Sequence, residues 1–204
     1  MNKNKLIHLG RYLKRVWFQQ WNKLKFRFLG VKIGKSPVFY GKVYLNMGIN
    51  SKFTIGDNFM IFSGDNFNPL CSNVCCSINV ADNAVLSIGN WSGMSGGRIW
   101  ATERISIGNY VNIGANCIFM DGDIHNTDWR LRQHDRSSAS PTTYKHKPII
   151  IEDNVWIGAN SIILKGVTIG ARSIIGAGSV VTKDIPSDSI AAGNPCKVIK
   201  KQNN

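Results

Sequence analysis

Aliphatic residues recur at every sixth position in the last third of the chain. They occupy Ile151, Ile157, Ile163, Ile169, Ile175 and Val181. An even spacing keeps these side chains on one face of extended backbone, whereas an α-helix repeats about every 3.6 residues. Glycine follows several of them, at Gly158, Gly170 and Gly176, which fits places where the chain must turn. The pattern predicts short strands joined by tight corners.

A second set of positions, four residues after the first, is mostly small or β-branched. It contains Val155, Ser161, Val167, Ser173, Ser179 and Ile185. Large and small side chains would therefore alternate into a narrow interior. Three such segments close one triangular coil, and a coil buries its apolar residues only when another coil stacks on it. Antiparallel hairpins would need turn pairs such as Asn-Gly, which the sequence lacks. The same register recurs at Ile107, Ile113 and Phe119, and less regularly at Ile55, Ile61 and Ile88.

The clearest repeats resemble a known family. They read IGNYVNIGANCIF over 107–119 and IEDNVWIGANSIILKGVTIGARSIIGAGSVVTKDIP over 151–186. They are similar to the hexapeptide repeats of the left-handed parallel β-helix acyltransferases, and the resemblance covers about residues 50–200. Within that family the chain looks most like galactoside and maltose acetyltransferases and O-acetyltransferases of surface polysaccharides, including the terminal AAGNPCKVI. The resemblance implies a homotrimer, with active sites between subunits, that transfers acetyl from acetyl-CoA to a sugar-type hydroxyl.

The first 30 residues follow a helical pattern instead. Apolar side chains recur at three- and four-residue steps, at Leu6, Leu9, Leu13, Val16, Trp17, Trp21, Leu24 and Phe28. We expect a basic amphipathic arm over residues 1–30 and the β-helix domain over residues 31–204. An anionic membrane is one partner that fits a Trp-rich stripe with cationic flanks. The open base of the core or a neighbouring subunit fits the same pattern.

The net charge of +13 belongs to this end of the chain. Residues 1–56 hold twelve of the 25 Lys and Arg and no acid, because Asp57 is the first carboxylate. From Asp57 onward the remaining 13 bases face 12 acids. That nearly neutral body carries no motif that reads nucleic acid, so we expect no nucleic-acid partner.

The cysteines and the N-terminus favour a location inside the cell. Five cysteines make an odd set without CxxC spacing, which is typical of a reducing compartment. The apolar residues of the arm are interleaved with Lys and Arg and form no signal-peptide core, and no transmembrane stretch follows. We expect a cytoplasmic protein, with peripheral contact at the inner face of the membrane as one alternative for the arm.

The hexads stop between Phe119 and Ile149. The excursion over residues 120–148 is rich in charge, histidine and turn formers, and long loops on a regular scaffold are usually functional. A hydroxyl that attacks a thioester needs a base to remove its proton, and a histidine does this near neutral pH. The excursion contains three histidines, His125, His134 and His146.

The resemblance implies that His125 is the general base. It follows the 107–119 coil at the spacing where sugar acetyltransferases carry their catalytic histidine. We expect Asp123, or less readily Asp121, to orient the imidazole by a hydrogen bond. The run Asp-Gly-Asp-Ile-His differs from the small, Gly-containing run of the galactoside enzymes, so the resemblance leaves the acceptor open. His134 and His146 would position substrate or lie in solvent.

The later coils are expected to bind the donor. The pantetheine arm of acetyl-CoA suits a groove of small residues, such as Gly176–Gly178. The resemblance implies that Ala159 and Ala177 contact CoA. It also places four residues near the nucleotide end, whose phosphates call for cations: Thr182, Lys183, Lys197 and Lys200. Trp156 resembles the family's aromatic at the acceptor side, where its ring would stack on a sugar; a subunit contact is the competing interpretation.

Three alternatives stay open. An aminosugar acceptor would make the protein an N-acetyltransferase. A γ-type carbonic anhydrase shares the β-helix but needs three histidine ligands, and the spacing of His125, His134 and His146 does not match that pattern, so we expect no metal. A non-enzymatic scaffold at the membrane would bind no acetyl-CoA.

Overall fold

The computed structural model describes residues 3–64, 68–133 and 145–202. Within these ranges the chain forms a long N-terminal helix, a short helix over Trp129–Arg132 and twenty short strands. His134 and the rest of 134–144 lie outside the described residues, so the prediction for His134 stays a prediction. No helix in the described ranges is long and apolar enough to cross a membrane.

Helix α1 spans Lys3–Phe28 and ends at a glycine. Gly30 adopts φ +79° and donates to the Arg27 carbonyl, and Val31 donates to the Phe26 carbonyl, both at 3.0 Å. This pair of bonds satisfies the last carbonyls of the helix, and glycine enters the left-handed region without a Cβ penalty. The turn directs the chain into the first coil, so the predicted helical arm is present.

The strands form three sheets, with parallel pairing between successive coils. The first sheet contains β1 (Lys32–Ile33), β4 (Lys52–Ile55), β7 (Val85–Ile88), β10 (Arg104–Ile107), β13 (Ile149–Ile151) and β16 (Thr168–Ile169). The second contains β2 (Val38–Tyr40), β5 (Met60–Phe62), β8 (Gly93–Ser95), β11 (Asn112–Ala115), β14 (Trp156–Ile157), β17 (Ile174–Ile175), β19 (Ser189–Gly193) and β20 (Cys196–Lys201). The third contains β3 (Tyr44–Met47), β6 (Ser77–Val80), β9 (Arg98–Ala101), β12 (Ile118–Met120), β15 (Ile162–Leu164) and β18 (Val180–Val181). From β1 to β18 each sheet receives every third strand, so the predicted β-helix is confirmed.

The interior follows the predicted register. All six aliphatic positions from Ile151 to Val181 are buried, and so are the smaller positions from Val155 to Ile185. Serine is tolerated inside because its hydroxyl bonds to a corner: the Ser161 hydroxyl donates to the Gly158 carbonyl at 2.8 Å. A buried hydroxyl with such a partner avoids most of its desolvation penalty.

The three sheets form the faces of a triangular prism. Its three edges, where the chain passes from one sheet to the next, position the candidate site. The first edge joins the first sheet to the second, at corners such as Gly108 and Gly170. The second edge joins the second sheet to the third, at corners that include Ala159 and Ala177. The third edge joins the third sheet back to the first, at Thr102 and at the 120–148 excursion.

Two features depart from a plain stack of coils. Besides the predicted 120–148 excursion, a shorter one leaves the second edge over residues 63–76 and includes a 3-10 turn, Pro69–Cys71. The chain ends in an antiparallel pair, β19 with β20, on the second sheet. The hexad pattern predicted neither, because both interrupt the repeat that carries the signal.

Candidate active site

The 120–148 excursion begins and ends in a two-stranded neck on the third edge. Gly122 and His146 form an antiparallel bridge. The Lys147 N–H donates to the Asp121 carbonyl at 2.9 Å, and the Asp123 N–H donates to the Lys145 carbonyl at 3.1 Å. The excursion is therefore tied to the prism by main-chain bonds at its base.

Asp121 anchors the neck to the preceding coil, at residues 102–104. Its side chain is fully buried and accepts four hydrogen bonds. Oδ1 accepts from the Thr102 N–H at 2.6 Å and from the Thr102 hydroxyl at 2.7 Å. Oδ2 accepts from the N–H groups of Glu103 at 2.9 Å and Arg104 at 2.6 Å. The carboxylate is occupied in closing a corner, which gives Asp121 a structural role.

Thr102 connects Asp121 to His146. Because the Thr102 hydroxyl donates to Asp121, it accepts from Nδ1 of His146, 2.9 Å away, which places the imidazole proton on Nδ1. A Cβ on Gly122 would lie 2.3 Å from both the imidazole Nδ1 and the Thr102 hydroxyl. Only glycine leaves room for this contact, so His146 holds the neck and does not lie in solvent.

His125 lies on the outward side of this neck. Its side chain is exposed, and it follows Asp123 by two residues. The Asp123 carboxylate forms an ion pair with Lys165, through Oδ1. Its other oxygen, Oδ2, is buried and has no hydrogen-bond partner among the described residues. The orientation of His125 by Asp123 stays a prediction. Oδ2 is the oxygen that could accept the hydrogen bond.

Ala159 and Ala177 lie next to each other on the second edge, and their contact with CoA stays a prediction. The Gly178 N–H donates to the Ala159 carbonyl at 2.8 Å. A Cβ on Gly158 would lie 2.5 Å from the nitrogen of Ala177, so the two corners stack as closely as glycine permits. Small residues therefore line a narrow track along this edge, with Ala177 exposed.

Lys197 continues the same track, whereas Thr182 and Lys183 do not. A Cβ on Gly176 would lie 2.7 Å from the Ala192 Cβ, and Ala192 pairs with Lys197 across β19 and β20. Thr182 and Lys183 follow β18 at the third edge, beyond a whole face of the prism. Within one chain the structure therefore separates them from the second-edge track.

Lys200 and Trp156 lie on the second sheet. Lys200 pairs with Ile190 at the end of that sheet. Trp156 is 55% exposed and pairs with Asn112. It lines a groove of about 410 Å³ that also includes Met60 and Trp91. The groove combines aromatic faces with amide and hydroxyl groups, which suits a sugar ring.

A larger groove, of about 710 Å³, lies on the first edge. Its polar side chains are used by the scaffold: Asp153 Oδ1 accepts from the Asn109 N–H at 2.7 Å, and Asn109 Oδ1 accepts from the Asn90 N–H at 2.8 Å. In the same way, Asn90 Oδ1 accepts from the Asp57 N–H at 2.7 Å, so these side chains link successive coils. Because these groups bond coil to coil, the first edge carries structure and is a weaker candidate site.

The buried cysteines do not provide a nucleophile. Burial raises the pKa of Cys76 to about 12 and that of Cys117 to about 11. Both thiols stay protonated near neutral pH, and a thiol is a much poorer nucleophile than a thiolate. Across the described ranges, no group of three or more His, Cys, Asp or Glu is arranged to hold a metal ion.

The shorter excursion adds residues that the sequence did not single out. The Asn116 side-chain amide donates to the Leu70 carbonyl at 3.0 Å, which docks residues 68–71 against the second edge. Leu70 is exposed there, one coil before Ala159. The segment therefore bounds the Ala159–Ala177 track at one end. The Asn and Pro of NPL predict a turn, but nothing in the sequence shows which edge it meets.

Comparison with known proteins shows which family the chain resembles. Residues 148–183 match the model of the hexapeptide repeat of succinyl-transferase. A hexapeptide-repeat acetyltransferase of Vibrio cholerae, solved in complex with acetyl-CoA, superposes with a TM-score of 0.58 at 27% identity, over 90% of this chain and 76% of that one. The chain is therefore similar to the hexapeptide-repeat acetyltransferases in both its repeat sequence and its fold. The match and the superposition confirm the predicted left-handed β-helix.

Curated relatives match about half of this chain. A Staphylococcus aureus (strain COL) protein named as an acetyltransferase is 46% identical over 113 residues, which are 50% of this chain and 57% of that protein. The galactoside O-acetyltransferase of Lactococcus lactis is 43% identical over 99 residues, 48% of this chain and 44% of that enzyme. The chain spans about half the length of the curated relatives it matches.

Proposed function

We propose that this hexapeptide-repeat protein is an acetyl-CoA-dependent O-acetyltransferase that modifies a hydroxyl of a sugar or of a surface-polysaccharide precursor. The observation that carries the proposal is that two neighbouring edges of the β-helix each present one half of an acetyltransferase site. One edge offers a track of small residues at Ala159 and Ala177, and the next presents His125 on an anchored neck. The galactoside relative, which acts on a sugar, supports the acceptor class.

The two halves of this site lie on different edges of one prism. A chain by itself therefore separates the second-edge track from the third-edge neck. We propose a homotrimer in which the edges of adjacent subunits meet, so that CoA lies between them. Thr182 and Lys183, on the third edge, would then approach the nucleotide end held by Lys197 and Lys200 of the neighbouring copy. Charged hydrogen bonds to phosphate are among the stronger polar contacts in proteins.

The chemistry follows from a ternary complex. His125 takes the proton from the acceptor hydroxyl as its oxygen attacks the thioester carbonyl, and backbone N–H groups stabilise the resulting oxyanion. The intermediate collapses by breaking the C–S bond, and the imidazolium returns its proton to the CoA thiolate. Asp123 Oδ2 would accept from the imidazole and favour the charged form. No acetyl-enzyme forms. We place the reaction in the cell interior, where acetyl-CoA is made.

The test uses the full chain, acetyl-CoA and a panel of sugar acceptors. We expect His125→Ala to lower the rate of CoA release by about 10²–10⁴, the range for a general base, while the Kd for acetyl-CoA measured by calorimetry stays unchanged. His8→Ala, on the exposed surface of α1, is the matched control and should leave both quantities unaltered.

Three results would contradict the proposal. Transfer by His125→Ala at the parent rate would remove the histidine from the mechanism. A product that resists mild alkali would be an amide and would favour the aminosugar N-acetyltransferase. Absence of acetyl-CoA binding by the parent protein would favour a non-enzymatic scaffold.

A further inference from the structure

One face of helix α1 covers the end of the β-helix. The Gln19 side chain donates to the Pro37 carbonyl at 2.7 Å and accepts from the Phe39 N–H at 2.6 Å. The Asn22 side chain donates to the Gly41 carbonyl at 2.8 Å. Phe26 is fully buried, with its ring centroid 5.1 Å from that of Phe39. The capping alternative for the arm is thus correct for this face.

The opposite face of α1 is apolar and uncovered. Its side chains recur at steps of three and four residues and are 48–87% exposed: Leu13, Trp17, Trp21, Leu24 and Phe28. Successive helix residues are about 100° apart, so Leu24 points about 160° away from both Asn22 and Phe26. The Trp17 and Trp21 rings stack in parallel, with centroids 6.3 Å apart. We call these five residues the outer stripe.

Cations flank the outer stripe on both sides. Helix α1 contains eight Lys and Arg residues, Lys3, Lys5, Arg11, Lys14, Arg15, Lys23, Lys25 and Arg27, and no acidic residue. Lys14 and Arg27, both exposed, lie on either side of the stripe. Lys25, by contrast, donates to the Val43 carbonyl, and burial together with the charge of Lys42 lowers its pKa. The other cations keep the exposed surface of α1 strongly positive.

Charge and shape together select the partner. A second copy of α1 packed on the stripe would bring two strongly positive helices into contact, which like charges disfavour. A nucleic acid would match the cations but leave the apolar stripe in water. An anionic lipid surface satisfies both, because aliphatic and Trp side chains enter the acyl boundary while Lys and Arg remain at the headgroups.

We propose that the outer stripe docks the protein on an anionic lipid bilayer. The helix would lie in the plane of the interface, and the β-helix would extend into water from its other face. The inference goes beyond the proposed function, because docking needs neither acetyl-CoA nor His125. Failure of one therefore leaves the other standing.

The test is cosedimentation of the full chain with vesicles, read together with Trp fluorescence. We expect binding to vesicles of equal parts phosphatidylcholine and phosphatidylglycerol, a blue-shifted emission, weak binding to phosphatidylcholine alone and release by high salt. The double variant Trp17→Gln/Trp21→Gln should lower the partition coefficient by at least about tenfold. Both side chains are exposed, so the fold should be retained, as circular dichroism can check.

Trp100→Gln is the matched control, because Trp100 is an exposed tryptophan on the third sheet, away from α1. It should bind as the parent does. Equal binding to neutral and anionic vesicles would overturn the proposal, and so would unchanged binding by the double variant. Sedimentation of the parent as an oligomer that the double variant dissociates, without vesicle binding, would assign the stripe to a second copy instead.

Discussion

The hydroxyl of Thr102 lies 2.9 Å from Nδ1 of His146, although 44 residues separate them in the chain. The same hydroxyl donates to the buried carboxylate of Asp121, so three residues from three segments clamp the neck of the excursion. His125 projects from that neck. The position of His125, the proposed base, thus depends on the hydrogen bonds of Thr102, which takes no part in the proposed reaction.

We expect Thr102→Val to loosen the neck without unfolding the β-helix. Valine has the shape of threonine but no hydroxyl, so His146 and Asp121 each lose one hydrogen-bond partner. A local loss of about 1.4 kcal/mol would speed amide exchange at Lys147 and Asp123 about tenfold. Hydrogen exchange measures this directly. Thr54→Val, at an exposed position of β4, is the control, and equal exchange in both variants would show that the clamp is unimportant.

Ala177→Leu should weaken acetyl-CoA binding at least about tenfold, because the larger side chain would occupy the track that we assign to the pantetheine arm. Ala177 is exposed, so the fold should survive. Ala171→Leu is matched to it: Ala171 also follows a corner glycine, but on the first edge. Calorimetry with acetyl-CoA compares the two. Equal affinities would exclude the second edge as the donor site.

Trp156→Ala separates the two interpretations of this exposed ring. Loss of stacking worth about 1 kcal/mol would raise the KM for the sugar acceptor about fivefold and leave the Kd for acetyl-CoA unchanged. Trp100→Ala serves as the control. An unaltered KM together with a change of oligomeric state in analytical ultracentrifugation would assign Trp156 to a subunit contact.

Stability should fall in alkali because of two buried thiols. Their ordinary pKa is 9.0, and burial raises the pKa of Cys76 to about 12 and that of Cys117 to about 11. Above pH 9 the unfolded chain loses thiol protons that the folded protein keeps, so the free energy of unfolding decreases as pH rises. Each thiol contributes at most about 1.4 kcal/mol per pH unit, and the effect fades as the pH falls below 9.

Urea unfolding at about pH 8 and pH 10.5 measures this dependence. The double variant Cys76→Ala/Cys117→Ala should show a shallower fall between the two conditions, although the cavities it leaves lower its stability at both. Parallel pH profiles of the parent and the variant would contradict the assignment of the alkaline loss to these thiols.

The stacked coils were predictable from the sequence because their signal is local and periodic. Every sixth side chain enters the interior, so Ile157 or Ile175 can be assigned to the core without knowing what it contacts. The helix could be predicted for the same reason. In the site, the meeting of Ala159 and Ala177 follows from the repeat, since positions 18 residues apart fall on the same corner of successive coils.

Only the tertiary structure decided the parts that have no period. The clamp of Thr102, Asp121 and His146, the pairing of Asp123 with Lys165 and the docking of Leu70 beside Asn116 join segments whose separation obeys no repeat. The sequence predicted that α1 has an apolar stripe, but not that a polar and aromatic face would cover the prism and leave that stripe outside. Which face packs depends on the shape of the first coil, and a helical period carries no information about that shape.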